Sequence, residues 1–356
     1  VTEGRIEVIA AGLLTTIQDL GRPGYARYGL GPGGAADGFA LRAANLLVDN
    51  EPGAAGLEIT LAGPELRFRR SISFAVSGAD LGLELDGRTI PSWRGITARA
   101  GQTLRFRPVA RGCRAYLAVS GGLDVPVSLG SRSSDPRARL GWREGRAVKA
   151  GDALPVAGGA VTQARLDRLA LSLEQMLPPG QESPADYLDR EVVAAADGPQ
   201  ADHFSPAALA RFYRSVYQVA PSSDRMGLRL NGPAVSPERA DIVSDGLIAG
   251  AVQVARDGRP VCLLAGHHTT GGYPKIAVIG RAHLRVAAQR PPLAHLSFVR
   301  VDPADLEEEA ATYLSILRGW EERRLGELPG RLYRLRGGVT VRVRRQGDSP
   351  KRPGGR

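Results

Sequence analysis

The chain has little sulfur and few aromatic residues: 2 cysteines, 2 methionines and 3 tryptophans in 356 residues, with aromatics at 5%. Two cysteines exclude a disulfide framework and a cysteine-rich zinc site. Cys113 and Cys262 both lie in apolar, strand-like runs and read as buried free thiols. No run of 18 apolar residues is present, which excludes a membrane-spanning helix. The opening Val1-Thr2-Glu3-Gly4-Arg5 lacks the basic region and apolar core of a signal peptide. A cytoplasmic protein is the expectation. HExxH and GxSxG are absent, and the five histidines (His203, His267, His268, His283, His295) form no spaced ligand cluster. No dedicated metal site is therefore expected.

Glycine and proline are plentiful, at 45 and 25, and the hydrophobic fraction is 43%. That mixture favours short strands and many turns around ordinary cores. The net charge of +10 suggests nucleic acid, but its distribution does not. Residues 331–356 carry 9 basic residues and a single acid, Asp348, and so supply +8 of it. The body of the chain is nearly neutral. The tail reads as a solvated extension, and nucleic acid is not an expected partner.

Along the chain, residues 5–11 read as a strand and residues 12–24 as a loop. A glycine-rich loop, Gly29 to Gly34, leads into a helix over 36–47, with Asp37 at its first turn. Short strands follow at 57–61, 66–68, 73–77, 81–85, 103–106 and 113–119, and Asp86-Gly87 is a hairpin turn pair. Regular short strands without long intervening helices point to β-barrels or sandwiches. The expected layout is an N-terminal β domain over 1–156, a connector over 157–190, a C-terminal β domain over 191–302 and a helical, basic extension over 303–356. In the second half, Ser205 caps a helix to Arg214, with Pro206 at its first position. Strands are expected at 215–220, 251–254, 261–264, 276–279 and 296–301. Residues 303–324 form the longest helical candidate, and Tyr313, Leu314 and Leu317 recur on one docking face.

The segment with the densest chemistry is His267-His268-Thr269-Thr270-Gly271-Gly272-Tyr273-Pro274-Lys275, between two apolar strand-like runs. Two glycines permit a tight turn or close approach to a ligand, Pro274 stiffens the exit, and Lys275 carries a charge toward an anion. It is no Walker A loop, because a strand-like run follows it. Four other polar loops accompany it. Gln18, Asp19 and Arg22 lie in the first, and Gly33 and Gly34 precede Asp37. Ser131 and Arg132 lie in a polar stretch over 121–139, and Asp224-Arg225 in a fourth loop. Converging, these loops would form an anion-binding, carbonyl-polarising pocket. Each also has a plain structural reading: Asp37 as a helix cap, Arg132 as an anchor, Asp224 and Arg225 as a pair, His267 and His268 as turn residues.

These pieces carry a specific likeness. Gly12–Gly24 (GLLTTIQDLGRPG), Gly34–Asp37, Asn45–Leu47, Leu57–Leu61, Ser77–Asp80, Tyr116–Gly122, Leu129–Ser133, Ser223–Leu230, Gly250–Val254 and Thr269–Ile276 together resemble the biotin-dependent carboxyltransferase-like family. That family includes the C-type component of 5-oxoprolinase, the kinase-inhibitor antagonist KipA and the second-subunit domain of allophanate hydrolase. The resemblance spans residues 5 to 302 and leaves out the extension. It implies a mainly β fold of two cyclophilin-like β-barrel domains with a few short helices.

The resemblance also implies a KipI-type B-like partner and an A-like partner, and a small amide as substrate. The reaction it implies is ATP- and Mg-dependent opening of 5-oxo-L-proline to L-glutamate. An amide is a poor electrophile, and phosphorylation of the lactam oxygen would activate it. On this reading Lys275, Asp37, Arg132 and Asp224 are the catalytic candidates. Gln18, Asp19, Arg22, Gly33, Gly34, Ser131, Arg225, His268, Thr269, Thr270, Gly271, Gly272 and Tyr273 are the candidates for substrate or nucleotide binding. The alternatives are a carboxyltransferase-type domain using carboxybiotin on urea or a related amide, with the biotin carried on another chain, and a non-catalytic partner of a KipI-like protein. One departure stands out: family members usually have Asp-Arg-Gln before the Thr-Thr-Gly-Gly-Tyr-Pro turn, where this chain has Gly266-His267-His268.

Overall fold

A computed structural model describes residues 5–174, 183–326, 332–334 and 340–342. The fold is mainly β, as the short-strand pattern predicts. In the N-terminal half, a six-stranded and a five-stranded sheet enclose one apolar core that includes Ile6, Leu57, Phe68, Phe74 and Leu117. The five-stranded sheet is built from the strands Leu14–Gln18, Gly56–Thr60, Arg111–Val119, Ile72–Asp80 and Gly95–Ala98, in that spatial order. In the C-terminal half, seven strands between Val192 and Arg300 form a closed barrel. Closure leaves no unpaired edge.

Two of the strands that the sequence reading does not anticipate are Leu14–Gln18 and Gly227–Asn231. Leu14–Gln18 lies inside the expected 12–24 loop and pairs with Gly56–Thr60. Its β-branched Thr15, Thr16 and Ile17 suit a pleated, buried surface. Gly227–Asn231 joins the barrel between the strands Val216–Val219 and Pro260–Leu263. There exposed Arg229 alternates with buried Leu228 and Leu230, a period-2 pattern. At the hairpin Leu83–Leu85/Arg88–Ile90, Asp86 and Gly87 both adopt positive φ (48° and 75°), as the turn pair predicts.

Helix α1 (Gly38–Leu46) packs on the outer face of the five-stranded sheet, against Ile72–Asp80 and Arg111–Val119. Helix α2 (Gln163–Glu174) and a 3₁₀ turn at Asp186–Asp189 occupy the 157–190 stretch. Helix α3 (Pro206–Arg214) starts at Ser205, whose side chain accepts from the Ala208 N–H at 3.2 Å. Helices α4 (Leu284–Ala288) and α5 (Pro303–Gly326) follow. A second apolar cluster runs from α1 through the barrel interior to Leu317 and Trp320 of α5. Both sides of the strand Gly56–Thr60 are therefore buried. Leu57 and Ile59 face the N-terminal core, and Glu58 points the other way, toward the barrel. Cys113 and Cys262 are free and buried. No described helix is long and apolar enough to cross a membrane. Apart from 332–334 and 340–342, the basic tail lies outside the described residues.

Candidate functional site

Where the two halves meet, a cleft of about 480 Å³ opens between them. The N-terminal half supplies Gln18, the Gly29–Gly33 loop and residues Ser134 to Ala138. The barrel supplies Asp224, Arg225, Met226 and the Gly266-His267-His268 turn. The two sets touch at close range: a side chain at Gly31 would meet the His267 carbonyl at 2.8 Å.

The cleft floor holds buried polar atoms without partners. Gln18 is 1% exposed; its Nε2 donates to Thr16 Oγ1 (3.1 Å) and to the Ser134 carbonyl (3.3 Å), and its Oε1 accepts nothing. Ser134 Oγ is also unpartnered. Arg22 is equally buried and spends Nη2 on the Ser133 carbonyl at 2.5 Å, while Nε and Nη1 remain free. Burial pulls its pKa down, against the nearby Asp135 and Asp19 carboxylates. Gly33 lies beside Arg22, and a side chain there would lie 3.4 Å from Nη1. Orphaned buried polar groups are costly and mark places where a ligand or ordered water completes the bonding.

The structure sorts the sequence candidates. Gln18, Gly33, Asp224, Arg225 and His268 line the cleft, and Arg22 lies against Gly33. Asp224 is exposed there, its Oδ1 accepting from the Met226 N–H at 2.8 Å. His267 is buried and His268 exposed, and both border the cleft. The remaining candidates have structural partners. Asp19 ties the first loop to the 131–133 loop, accepting from Gly21 N–H (2.8 Å), Ser131 Oγ (2.6 Å), Ser133 Oγ (2.5 Å) and Arg132 N–H (2.6 Å). Arg132 turns away, donating from Nε to the Val125 carbonyl at 2.8 Å and lying 3.7 Å from Asp124.

Asp37 caps α1 through the Ala40 N–H (3.0 Å) and accepts from Tyr187 (2.5 Å) and Gln289 (2.8 Å), leaving its fully buried carboxylate closed to a ligand. Burial raises its pKa, against those hydrogen bonds and Arg285. Gly34 has φ of +84°, and a side chain there would meet the Gly21 nitrogen at 2.7 Å, so its glycine serves the loop crossing.

The expected anion-directed role of Lys275 is also redirected. It begins the barrel strand Lys275–Ile279, is 3% exposed, and its Nζ is ion-paired with Asp245 and bonded to the Gly246 carbonyl at 3.3 Å. Thr270 and Gly271 pair with Asp245 and Gly246 in a two-stranded ladder. Thr269 and Gly272 accept from Leu247 and Ile242 through their carbonyls, and exposed Tyr273 accepts from Gln253 in the same way. The family-like part of the turn therefore builds a short antiparallel ladder beside the barrel. Its atypical first residues, Gly266-His267-His268, are the ones that line the cleft.

The sequence reading does not identify the polar network that joins the halves. Glu58 (1% exposed) accepts from the Ala36 N–H and the Tyr116 hydroxyl, each at 2.9 Å, and is ion-paired with Arg225. Arg225 Nη2 also donates to the Gly34 carbonyl at 2.5 Å. Burial alone would raise the Glu58 carboxyl, but Arg225, Arg114 and the hydrogen bonds from Ala36 and Tyr116 together leave the pKa lowered. Gln289 Oε1 accepts from the Cys113 and Arg114 N–H groups at 2.9 Å, and its Nε2 reaches Asp37 and the Arg114 carbonyl at 2.8 Å. One signal was available: a carboxylate between Leu57 and Ile59 in an otherwise apolar strand has to find a buried partner.

The arrangement can take a small polar molecule between the halves. It offers an acceptor (Gln18 Oε1), a hydroxyl (Ser134), imidazoles and guanidinium groups. Among the described residues, no three His, Cys, Asp or Glu side chains converge to hold a metal ion.

Known proteins with similar sequence agree with this architecture. The chain is 38% identical over 298 residues to the C-type component of 5-oxoprolinase from Escherichia coli (strain K12), covering 83% of this chain and 91% of that one. It is 32% identical over 317 residues to the corresponding 5-oxoprolinase component of Haemophilus influenzae, covering 88% and 97%. Among solved structures, K. lactis urea amidolyase superposes with a TM-score of 0.78 at 29% identity, over 90% of this chain and 20% of that much longer one. A model of the carboxyltransferase domain, subdomains A and B, matches residues 28–300. The chain belongs to that carboxyltransferase-domain family.

Proposed function

We propose that the chain is the C-type component of an ATP-dependent 5-oxoprolinase, which opens 5-oxo-L-proline to L-glutamate with B-like and A-like partners. The observation that carries this reading is the pair of unpartnered buried polar atoms lining the interdomain cleft, Gln18 Oε1 and Ser134 Oγ, with the unpartnered Arg22 Nε and Nη1 behind Gly33. The names of the relatives select the substrate. A lactam offers an N–H donor, a carbonyl acceptor and, in 5-oxoproline, a carboxylate. Gln18 Oε1 accepts the N–H, the Ser134 hydroxyl donates to the carbonyl, and the Arg22 guanidinium takes the carboxylate.

ATP, when bound, supplies the phosphoryl group that turns the lactam oxygen into a leaving group. The described residues offer the cleft carboxylates Asp135 and Asp224 but no three-ligand cluster, so they fit a magnesium ion held mainly by nucleotide phosphates. This chain's own part is to bind and orient the amide and to place His267 and His268 beside it.

The test is to co-express the chain with its B-like and A-like partners and measure ATP-dependent glutamate release from 5-oxoproline. Gln18→Ala in that complex is expected to cut kcat/KM by about tenfold or more, while the complex still assembles. A folded complex of all three components that releases no glutamate refutes the assignment. Turnover of urea in the same assay, given a biotin carrier, would support the carboxyltransferase alternative. That alternative is supported by the carboxyltransferase-domain family model and by the likeness to K. lactis urea amidolyase.

A further inference from the structure

A second cavity, of about 200 Å³, lies on the far side of Ala265 from the cleft, which that residue also borders. Its charged lining consists of three arginines: Arg42 from α1, Arg281 from the turn Arg281–His283, and Arg285 from α4. Tyr313, Leu314 and Leu317 of α5 form one wall. Helix α5 lies wholly beyond the residues that the family model matches.

The three arginines are poorly neutralised. Arg281 has no hydrogen bond or ion pair among the described residues. Arg42 has only Glu321, at 3.9 Å. Arg285 lies over the rings of Phe39 (4.4 Å), Tyr187 (4.8 Å) and Tyr313 (5.5 Å), and its buried Nε has no partner. The buried Asp37 carboxylate feels the charge of Arg285, but its oxygens are already taken by Ala40, Tyr187 and Gln289. No carboxylate lines the cavity itself. Arg281 and Arg42 are close enough that burial and mutual repulsion both oppose the charge on Arg42, against Tyr313 and Glu321. Three guanidinium groups around a small partly enclosed space, without an internal counter-ion, are an arrangement that an added anion stabilises.

We propose that this cavity is a phosphate-binding site, closed on one side by the C-terminal helix α5. A phosphate dianion suits three monocations better than a single carboxylate, and its tetrahedral oxygens accept from several guanidinium forks at once. The volume takes a phosphate group and leaves the rest of a nucleotide outside. The group therefore arrives either as inorganic phosphate or as the terminal phosphate of a nucleotide. The site does not depend on the substrate assigned to the cleft. Because α5 supplies Tyr313, occupancy also tightens the helix against the body of the protein.

The experiment is calorimetric titration of the full chain with inorganic phosphate, and separately with ADP, at constant ionic strength set with chloride. Saturable binding of one equivalent is expected from at least one of the two, and which one binds identifies the source. Arg281→Gln, an exposed position, and Arg42→Gln are each expected to weaken it about tenfold or more. Arg281→Gln should also abolish the phosphate-dependent rise in melting temperature while leaving the melt without phosphate unchanged. The proposal is overturned if neither ligand binds at millimolar concentration, or if both arginine variants bind as tightly as the unmodified chain. It is likewise overturned if His268→Ala, in the cleft, loses binding while Arg281→Gln keeps it.

Discussion

Replacing Glu58 by glutamine tests whether the two halves are locked by a buried charge. The carboxylate has four neighbours: Ala36 N–H and Tyr116 on one oxygen, Arg225 and, at 4.0 Å, Arg114 on the other. All four are donors. A glutamine amide must turn its NH₂ toward one pair or the other, so at least one donor meets a donor. It also leaves Arg114 (4% exposed) without its counter-charge. Removing one partner of a buried ion pair costs about 3–5 kcal/mol. At roughly 2 °C per kcal/mol for a chain of this size, the melting temperature should fall by about 6–10 °C. Scanning calorimetry at neutral pH measures it.

The pH dependence gives an independent check. The folded Glu58 carboxyl titrates below its ordinary value. Its contribution is therefore fully present above the unfolded value of about 4.3 and is lost as pH falls through the lowered folded value. The stability gap between the unmodified chain and Glu58→Gln should shrink as the pH falls below about 4.3 through that window, and not above it. Combining Glu58→Gln with Arg225→Gln should cost less than the sum of the two changes, by about 1 kcal/mol or more. A Glu58→Gln chain melting within about 1 °C of the original would refute the reasoning.

Adjacent glycines should respond unequally. Gly34→Ala drives a methyl to 2.7 Å from the Gly21 nitrogen and should destabilise by more than about 2 kcal/mol, on the order of an overpacked site with positive φ. Gly33→Ala meets nothing closer than the Arg22 Nη1 at 3.4 Å and should cost only about 1–2 kcal/mol, both read by urea unfolding. Trp320→Ala removes a buried ring whose centroid lies 5.1 Å from that of Phe39, and should cost about 3–5 kcal/mol if α5 is part of the folded core. Lys275→Ala should speed amide hydrogen exchange at Thr270 and Gly246 by freeing Asp245. If exchange there is unchanged, the ladder does not depend on the ion pair.

The fold class, a helix with Asp37 at its first turn, the Ser205 cap, the Asp86-Gly87 hairpin and the docking face of the C-terminal helix were all legible in the sequence. Each rests on local chemistry: a capping acceptor, a turn pair, or a spacing of three and four. The strands at Leu14–Gln18 and Gly227–Asn231 were hidden because the adjoining Gly, Asp and Ser residues read as loop. The polar loops were correctly singled out as unusual, but their division of labour was not. Asp19, Asp37 and Lys275 carry charges that suggest chemistry, and tertiary partners distant in sequence consume all three. Conversely, Glu58 and Gln289 lie in apolar segments, and 231 residues separate two groups that share one network.

By itself the sequence determined the β architecture and the family likeness, since both follow from local patterns and short motifs. Only the tertiary structure decided which end of the His267–Lys275 turn faces the cleft. Its second half is bound by hydrogen bonds and an ion pair to Asp245 and Gly246, about thirty residues earlier, and that pairing turns the two histidines toward the N-terminal half.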